Sequence, residues 1–146
     1  MGTASNELST RNQAITDYDY SKLFLTSFKT ITVNVVASGA DVTLAPGVLM
    51  GRVSATGKGA ILKSASSDGS QFPLGLALDD VVIADGSNLD VAIAVTGKVD
   101  ESMIVLDGSD TLDTAIDGRQ LRDLIPASTE GIQLESLNEL TNFDNK

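Results

Sequence analysis

The chain is expected to be mainly β: a small barrel- or sandwich-like domain with one short helix near the C-terminus and an extended N-terminal arm. Three observations predict this. Short apolar runs alternate with polar positions at a period of two. Gly, Pro and Asp-Gly steps punctuate those runs every few residues. Only after Asp110 does the apolar spacing lengthen to a helical period. The expected boundaries are residues 1–27 for the arm, 28–137 for the β-rich domain and 138–146 for a polar C-terminal tail.

The stretch Leu44 to Gly59 organises the chain, because it holds a turn, a strand and a second turn in sixteen residues. Pro46-Gly47 opens it and alternation from Val48 to Ala55 predicts a strand. Gly57-Lys58-Gly59 reverses the chain, and Ala60-Ile61-Leu62 supplies a partner strand for a hairpin.

Before it, residues 1–21 are polar, sustain no period, and are expected to form an extended arm. Lys22 to Phe28 then brings Leu23, Phe24, Leu25 and Phe28 together. Two readings are open. They form a first strand of the protein's own core, or they anchor it to another chain by strand addition. Thr30 to Ala37 is the clearest strand, with Ile31, Val33 and Val35 on a buried face and Thr30, Thr32 and Asn34 on the other. Ser38-Gly39 turns the chain into a short strand at Val42 to Leu44.

Lys63 to Phe72 is a polar loop, and Pro73 fixes the start of an apolar strand from Leu74 to Ile83 that is interrupted at Asp79-Asp80. Those adjacent carboxylates do not form a catalytic pair, since neighbours on a strand point to opposite faces. They also lack the ligand spacing of a calcium loop. A bend at the sheet rim is expected instead. Asp-Gly-Ser recurs at 68–70, 85–87 and 107–109 and is turn chemistry. Leu89 to Val99 is a further strand with a kink or turn at Gly97-Lys98, and Met103 to Leu106 a short buried one. Leu112, Ala115, Ile116, Leu121, Leu124 and Ile125 then predict a helix over 111–124, capped by Asp110 and ended by Pro126. Ile132 and Leu134 alternate with Gln133 and Glu135 as a last strand.

Composition narrows the function. With 146 residues, 42 % of them hydrophobic, the chain suffices for one domain with its own core. Four Phe, two Tyr and no Trp leave that core to aliphatic side chains. The absence of Cys and His removes disulfides, thiolate metal sites and the commonest general base, so neither catalysis nor a metal or cofactor is expected. No apolar run reaches the ~20 residues of a membrane span, and no secretion signal is apparent, so a soluble protein made in the cytoplasm is expected. A net charge of −10 argues against nucleic acid as a partner. The charge is uneven, +2 over residues 1–63 and −12 over residues 64–146, which suits a molecule with one face turned to a partner and one to solvent.

Taken in order, Pro46 to Gly51 with Ala55 to Lys58, the Asp68 to Gln71 loop, Pro73 to Asp80, and Ala92 to Val99 resemble the lambda-type phage head decoration protein family over roughly Phe28 to Leu137. The resemblance implies a β-rich homotrimer on the outside of the virion head, clamping the major capsid protein after the shell expands and stabilising it against internal DNA pressure. It implies a structural protein, not an enzyme. Lys22, Leu23, Phe24, Leu25 and Phe28 are the expected capsid-binding residues. An arm of residues 1–27, net charge −1, could span up to ~90 Å when extended. On that reading a chain beginning at Thr30 keeps its fold and loses capsid affinity.

Two other functions remain open. A carbohydrate- or receptor-binding module of a phage tail or fibre would also be β-rich, but usually stacks sugars on exposed aromatics, and here only Tyr18 and Tyr20 are candidates. A hydrolase would need a base and a nucleophile elbow, and the chain has no His and no G-x-S-x-G.

Overall fold

The structure is a computed structural model that describes residues 23–136. Among these described residues, eleven strands and one α-helix follow in the order β1 (Thr30–Val36), β2 (Val42–Leu44), β3 (Leu49–Arg52), β4 (Gly59–Ile61), β5 (Gly75–Ala77), β6 (Val81–Ile83), β7 (Asn88–Ala94), β8 (Thr96–Asp100), β9 (Ala115–Ile116), β10 (Arg119–Gln120), α1 (Leu121–Ser128) and β11 (Gly131–Glu135). Five of the strands close into a barrel in the order β1-β4-β3-β5-β7. Its longest seam is the antiparallel β1/β7 pair, in register from Thr30 opposite Ala94 to Val36 opposite Asn88. Its shortest is the parallel contact of β1 with β4 at Val35 and Gly59. Closure removes the unpaired edges that an open sheet of this size would expose.

The alternation expected in β1 is present: Val33 and Val35 are buried and Ile31 is half-buried, while Thr30 is exposed and Asn34 only partly covered. Val91 and Ile93 from β7, Met50 from β3 and Ala77 from β5 meet them inside the barrel. A second core lies outside it, where Leu49, Leu76, Leu78 and Ala94 pack against Leu121, Leu124 and Ile125 of α1 and Ile132 of β11. Strands β3 and β5 are therefore sandwiched between two cores. Leu49 and Met50 are consecutive, point to opposite faces, and are both buried. The hairpin expected around Gly57-Lys58-Gly59 forms, with Met50 opposite Ile61 and Arg52 opposite Gly59.

Four expectations are corrected. The segment 111–124 is not one helix. Residues 115–120 within it form the β9/β10 hairpin, turned by Asp117 at φ 52° and Gly118 at φ 80°, and α1 begins only at Leu121. An Asp-Gly pair favours a two-residue hairpin turn, and this local preference outweighs the scattered helical spacing before it. Pro126 lies inside α1 rather than ending it, and the helix stops at Thr129, whose hydroxyl and N–H both donate to the Ile125 carbonyl. The apolar run 74–83 divides at Asp79-Asp80 into β5 in the barrel and β6, which pairs with β2 instead. Asp79 fixes the division by accepting a 3.1 Å bond from the Ala92 N–H. Met103 to Leu106 is a half-buried stretch following a 3-10 turn at Glu101–Met103, with Val105 exposed.

All three Asp-Gly-Ser segments turn the chain with glycine at positive φ: 102° at Gly69, 84° at Gly86 and 56° at Gly108. At the first, the exposed Asp68 carboxylate accepts from the Ser70 hydroxyl at 2.6 Å and the Ser70 N–H at 3.0 Å. The Ser70 hydroxyl, then its N–H, hold this carboxyl below the ordinary aspartate range. A folded-state pKa below the unfolded one means that the contribution to stability is present above the unfolded value and is lost as pH falls through the folded one. NMR titration is expected to show Asp68 ionising below the ordinary aspartate range and returning toward it in Ser70→Ala. Equal midpoints in the two proteins would refute this origin.

Candidate functional site

The apolar segment Leu23 to Phe28 lies along β8 as a short third strand. Phe24 bridges Val99 in antiparallel fashion, the Leu25 N–H donates to the Lys98 carbonyl at 2.8 Å, and the Asp100 N–H donates to the Leu23 carbonyl at 2.9 Å. Side-chain oxygens extend the pairing, with the Lys98 N–H donating to Thr26 Oγ1 and the Lys29 N–H donating to Thr96 Oγ1. On the opposite edge of β8, β11 pairs in parallel from Gly131 opposite Thr96 to Glu135 opposite Asp100. The backbone of Leu23 to Leu25 is thus already engaged within its own chain.

The expected capsid-binding residues separate accordingly. Leu23 is 0 % and Phe24 5 % exposed, both inside the second core, and Phe28 is half-buried against the same cluster. Phe24 and Phe28 stack with ring centroids 4.2 Å apart. Leu25, on the alternate face, is 38 % exposed. Lys22, with Tyr18 and Tyr20, lies outside the described residues. Leu23, five residues ahead of Phe28, is therefore already packed within its own chain. Gly97 receives the two rings: it lies at φ 122°, and a Cβ there would stand 3.2 Å from both Phe24 Cδ1 and Phe28 Cβ, so the glycine seats the stacked pair.

The remaining polar clusters have structural duties. An open groove of ≈540 Å³ is lined by Val35, Val42, Ile61, Lys63 and the carboxylates of Asp41, Asp68 and Asp107. Asp41 is occupied by the Asp85 N–H at 2.9 Å, and Asp68 by Ser70. Arg122 ties α1 to two loops, through Asp113 at 2.9 Å and Glu101 at 3.0 Å, and both carboxylates hold its guanidinium in the charged form. Among the described residues no group of three or more Asp, Glu, His or Cys is placed to hold a metal ion, and no helix is long and apolar enough to cross a membrane.

A search of curated proteins found no match to the chain. A family model does match, over residues 23–122. It covers the barrel, the segment paired with β8 and the start of α1. With more than half of its length matched and a mainly β domain closed into a barrel, the chain belongs to the bacteriophage lambda head decoration protein D family.

Proposed function

We propose that this protein binds as a homotrimer to the outer surface of an expanded phage head, contacts the major capsid protein there, and stabilises the shell against the pressure of packaged DNA. Membership of the head decoration family, over residues 23–122, is the observation that carries this reading. Charge supports it: attachment through the less acidic first half would keep the acidic second half, at −12, away from a crowded shell surface.

Attachment runs through the N-terminal arm. Residues 1–22 with Lys22 reach onto the shell, Leu25 and the open side of Phe28 lie against it, and the buried Leu23 and Phe24 fix the root of the arm to the barrel. Leu23 and Leu25 use their backbone toward β8, which turns the Phe24 N–H and C=O outward, where a capsid strand can add. Three arms per trimer multiply small gains through avidity.

Co-sedimentation with expanded heads tests this. The full chain is expected to bind saturably, Leu25→Asp to bind at least tenfold more weakly with an unchanged melt, the equivalent of about 1.4 kcal/mol, and a chain beginning at Leu23 to lose most of its affinity. Binding by that shortened chain as tight as that of the full chain would refute the arm, and a monomer on the head in image reconstructions would refute the trimer.

A further inference from the structure

Four Asp-Gly steps occur in the chain, at 68–69, 85–86, 107–108 and 117–118. All four share one intrinsic reaction. The glycine nitrogen attacks the aspartate side-chain carbon Cγ, the new C–N bond closes a five-membered succinimide, and the protonated carboxyl loses its hydroxyl as water. Water then adds to either ring carbonyl. Addition at the α-carbonyl leaves the chain running through the side chain as isoaspartate, with one extra methylene in the backbone and no change in composition. Water is the sole co-reactant.

The structure restrains these four steps unequally, because attack requires a free glycine N–H and a carboxyl able to swing onto it. At the first, the Gly69 N–H donates to Gln71 Oε1 at 2.9 Å and the Asp68 carboxylate is held by Ser70. At the second, the Gly86 N–H donates to the Ala37 carbonyl at 2.9 Å and Asp85 Oδ1 accepts from the Gly39 N–H at 2.7 Å. At the third, Asp107 is half-buried and its turn is closed by the Asp110 N–H, whose carboxylate in turn grips the N–H and hydroxyl of Ser64. The fourth has none of these restraints. Asp117 and Gly118 are both exposed, and among the described contacts neither the Asp117 carboxylate nor the Gly118 N–H has a partner. Among the described residues Asp117 is also the one non-glycine held at positive φ, a conformation that disfavours a side chain, in a hairpin only two residue pairs long.

We propose that Asp117-Gly118 is the aspartate-isomerisation site of this protein, converting to isoaspartate ahead of its three other Asp-Gly steps. The consequence reaches beyond the turn. The β9/β10 hairpin presents the Thr114 and Leu112 carbonyls to the Leu121 and Arg122 N–H groups, at 2.9 Å and 2.8 Å, and so holds the first turn of α1. An added backbone methylene at 117 breaks the two-residue turn that sets this spacing, and it loosens the start of α1 together with the ion pairs of Arg122. A particle protein that outlives its host cell would accumulate this change with storage.

The test incubates the purified full chain at neutral pH, digests it, and locates isoaspartate peptide by peptide, using mass spectrometric mapping and labelling by an isoaspartate-specific carboxyl methyltransferase. Isoaspartate is expected at Asp117 several-fold faster than at Asp68 or Asp85, with Asp107 between. The same incubation in denaturant should bring the four rates together, which separates the fold from the following residue, Ser at three steps and Arg at the fourth. Asp117→Asn, which tolerates the same backbone conformation, should react faster still and release ammonia, read as a gain of negative charge on isoelectric focusing. Conversion at Asp68 or Asp85 that keeps pace with Asp117, or a ranking unchanged in denaturant, would overturn the proposal.

Discussion

Removing residues 1–29 is expected to unfold this protein or to lower its stability by several kcal/mol. Leu23 has no exposed surface and Phe24 almost none, and both belong to the core that joins α1, β8 and β11 to the outside of the barrel. Truncating one buried Leu to Ala costs about 2–5 kcal/mol and one buried Phe about 3–5 kcal/mol, because a cavity remains where the side chain stood. The backbone pairing to β8 adds about 0.5–1.5 kcal/mol for each bond lost. Against a total stability of about 5–15 kcal/mol, losing both side chains and their pairing leaves little margin. Leu23→Ala should show the effect alone, by about 2–5 kcal/mol in a urea melt. A chain beginning at Thr30 that melts like the full protein would show that the apolar segment contributes nothing to the fold and is free to serve another chain entirely.

Which parts of this architecture could be read in advance follows from how local the cause is. The β1 face, the β3/β4 hairpin and the three Asp-Gly-Ser turns depend on residues within a few positions of one another, and spacing reveals them. The boundary of α1 was obscured because Leu112, Ala115 and Ile116 fit a helical stripe as well as they fit a hairpin, and Asp117-Gly118 decides between them only when the turn is weighed first. Leu76-Ala77-Leu78 gives no alternation because β5 is buried on both faces, a property of the second core rather than of the strand. The segment Leu23 to Phe28 is the instructive case at the candidate site. Apolar side chains after a polar arm announce that they will be buried but not in what. Its partner β8 lies some seventy residues on, and the seat that receives the Phe24 and Phe28 rings is a glycine whose purpose is invisible without them.

Gly51→Ala is expected to cost about 3 kcal/mol or more, the upper range for forcing atoms into a packed interior, although it adds only one methyl group to a strand. Gly51 has ordinary strand geometry and pairs with Ala60, so its backbone conformation does not demand glycine. Space does. A Cβ at this position would collide with the Ser70 carbonyl oxygen, and would stand 2.7 Å from the Ser70 carbonyl carbon and 2.9 Å from the Phe72 carbonyl oxygen. All three obstacles are backbone atoms, which cannot turn aside as the end of a side chain can. Nor is the loop free to retreat: Ser70 is buried and bonded to Asp68, the Ser54 N–H donates to the Asp68 carbonyl at 2.8 Å, and the Leu74 N–H donates to the Met50 carbonyl at 2.7 Å on the other side. On the strand itself, Met50 is locked inside the barrel. Relief therefore requires breaking the loop's hydrogen bonds or parting β3 from β4, and either loss is several times larger than the gain from one buried methyl. Gly57→Ala is the matched control, since a Cβ there meets nothing within 4 Å and only its φ of 73° is strained, a cost of about 1–2 kcal/mol. Urea melts of the two variants should rank Gly51 well above Gly57 in cost, with the Asp68 to Gln71 amide resonances shifted in Gly51→Ala alone. A Gly51→Ala protein as stable as Gly57→Ala would mean that the loop yields, and that the close approach of strand and loop is not what requires glycine at this position.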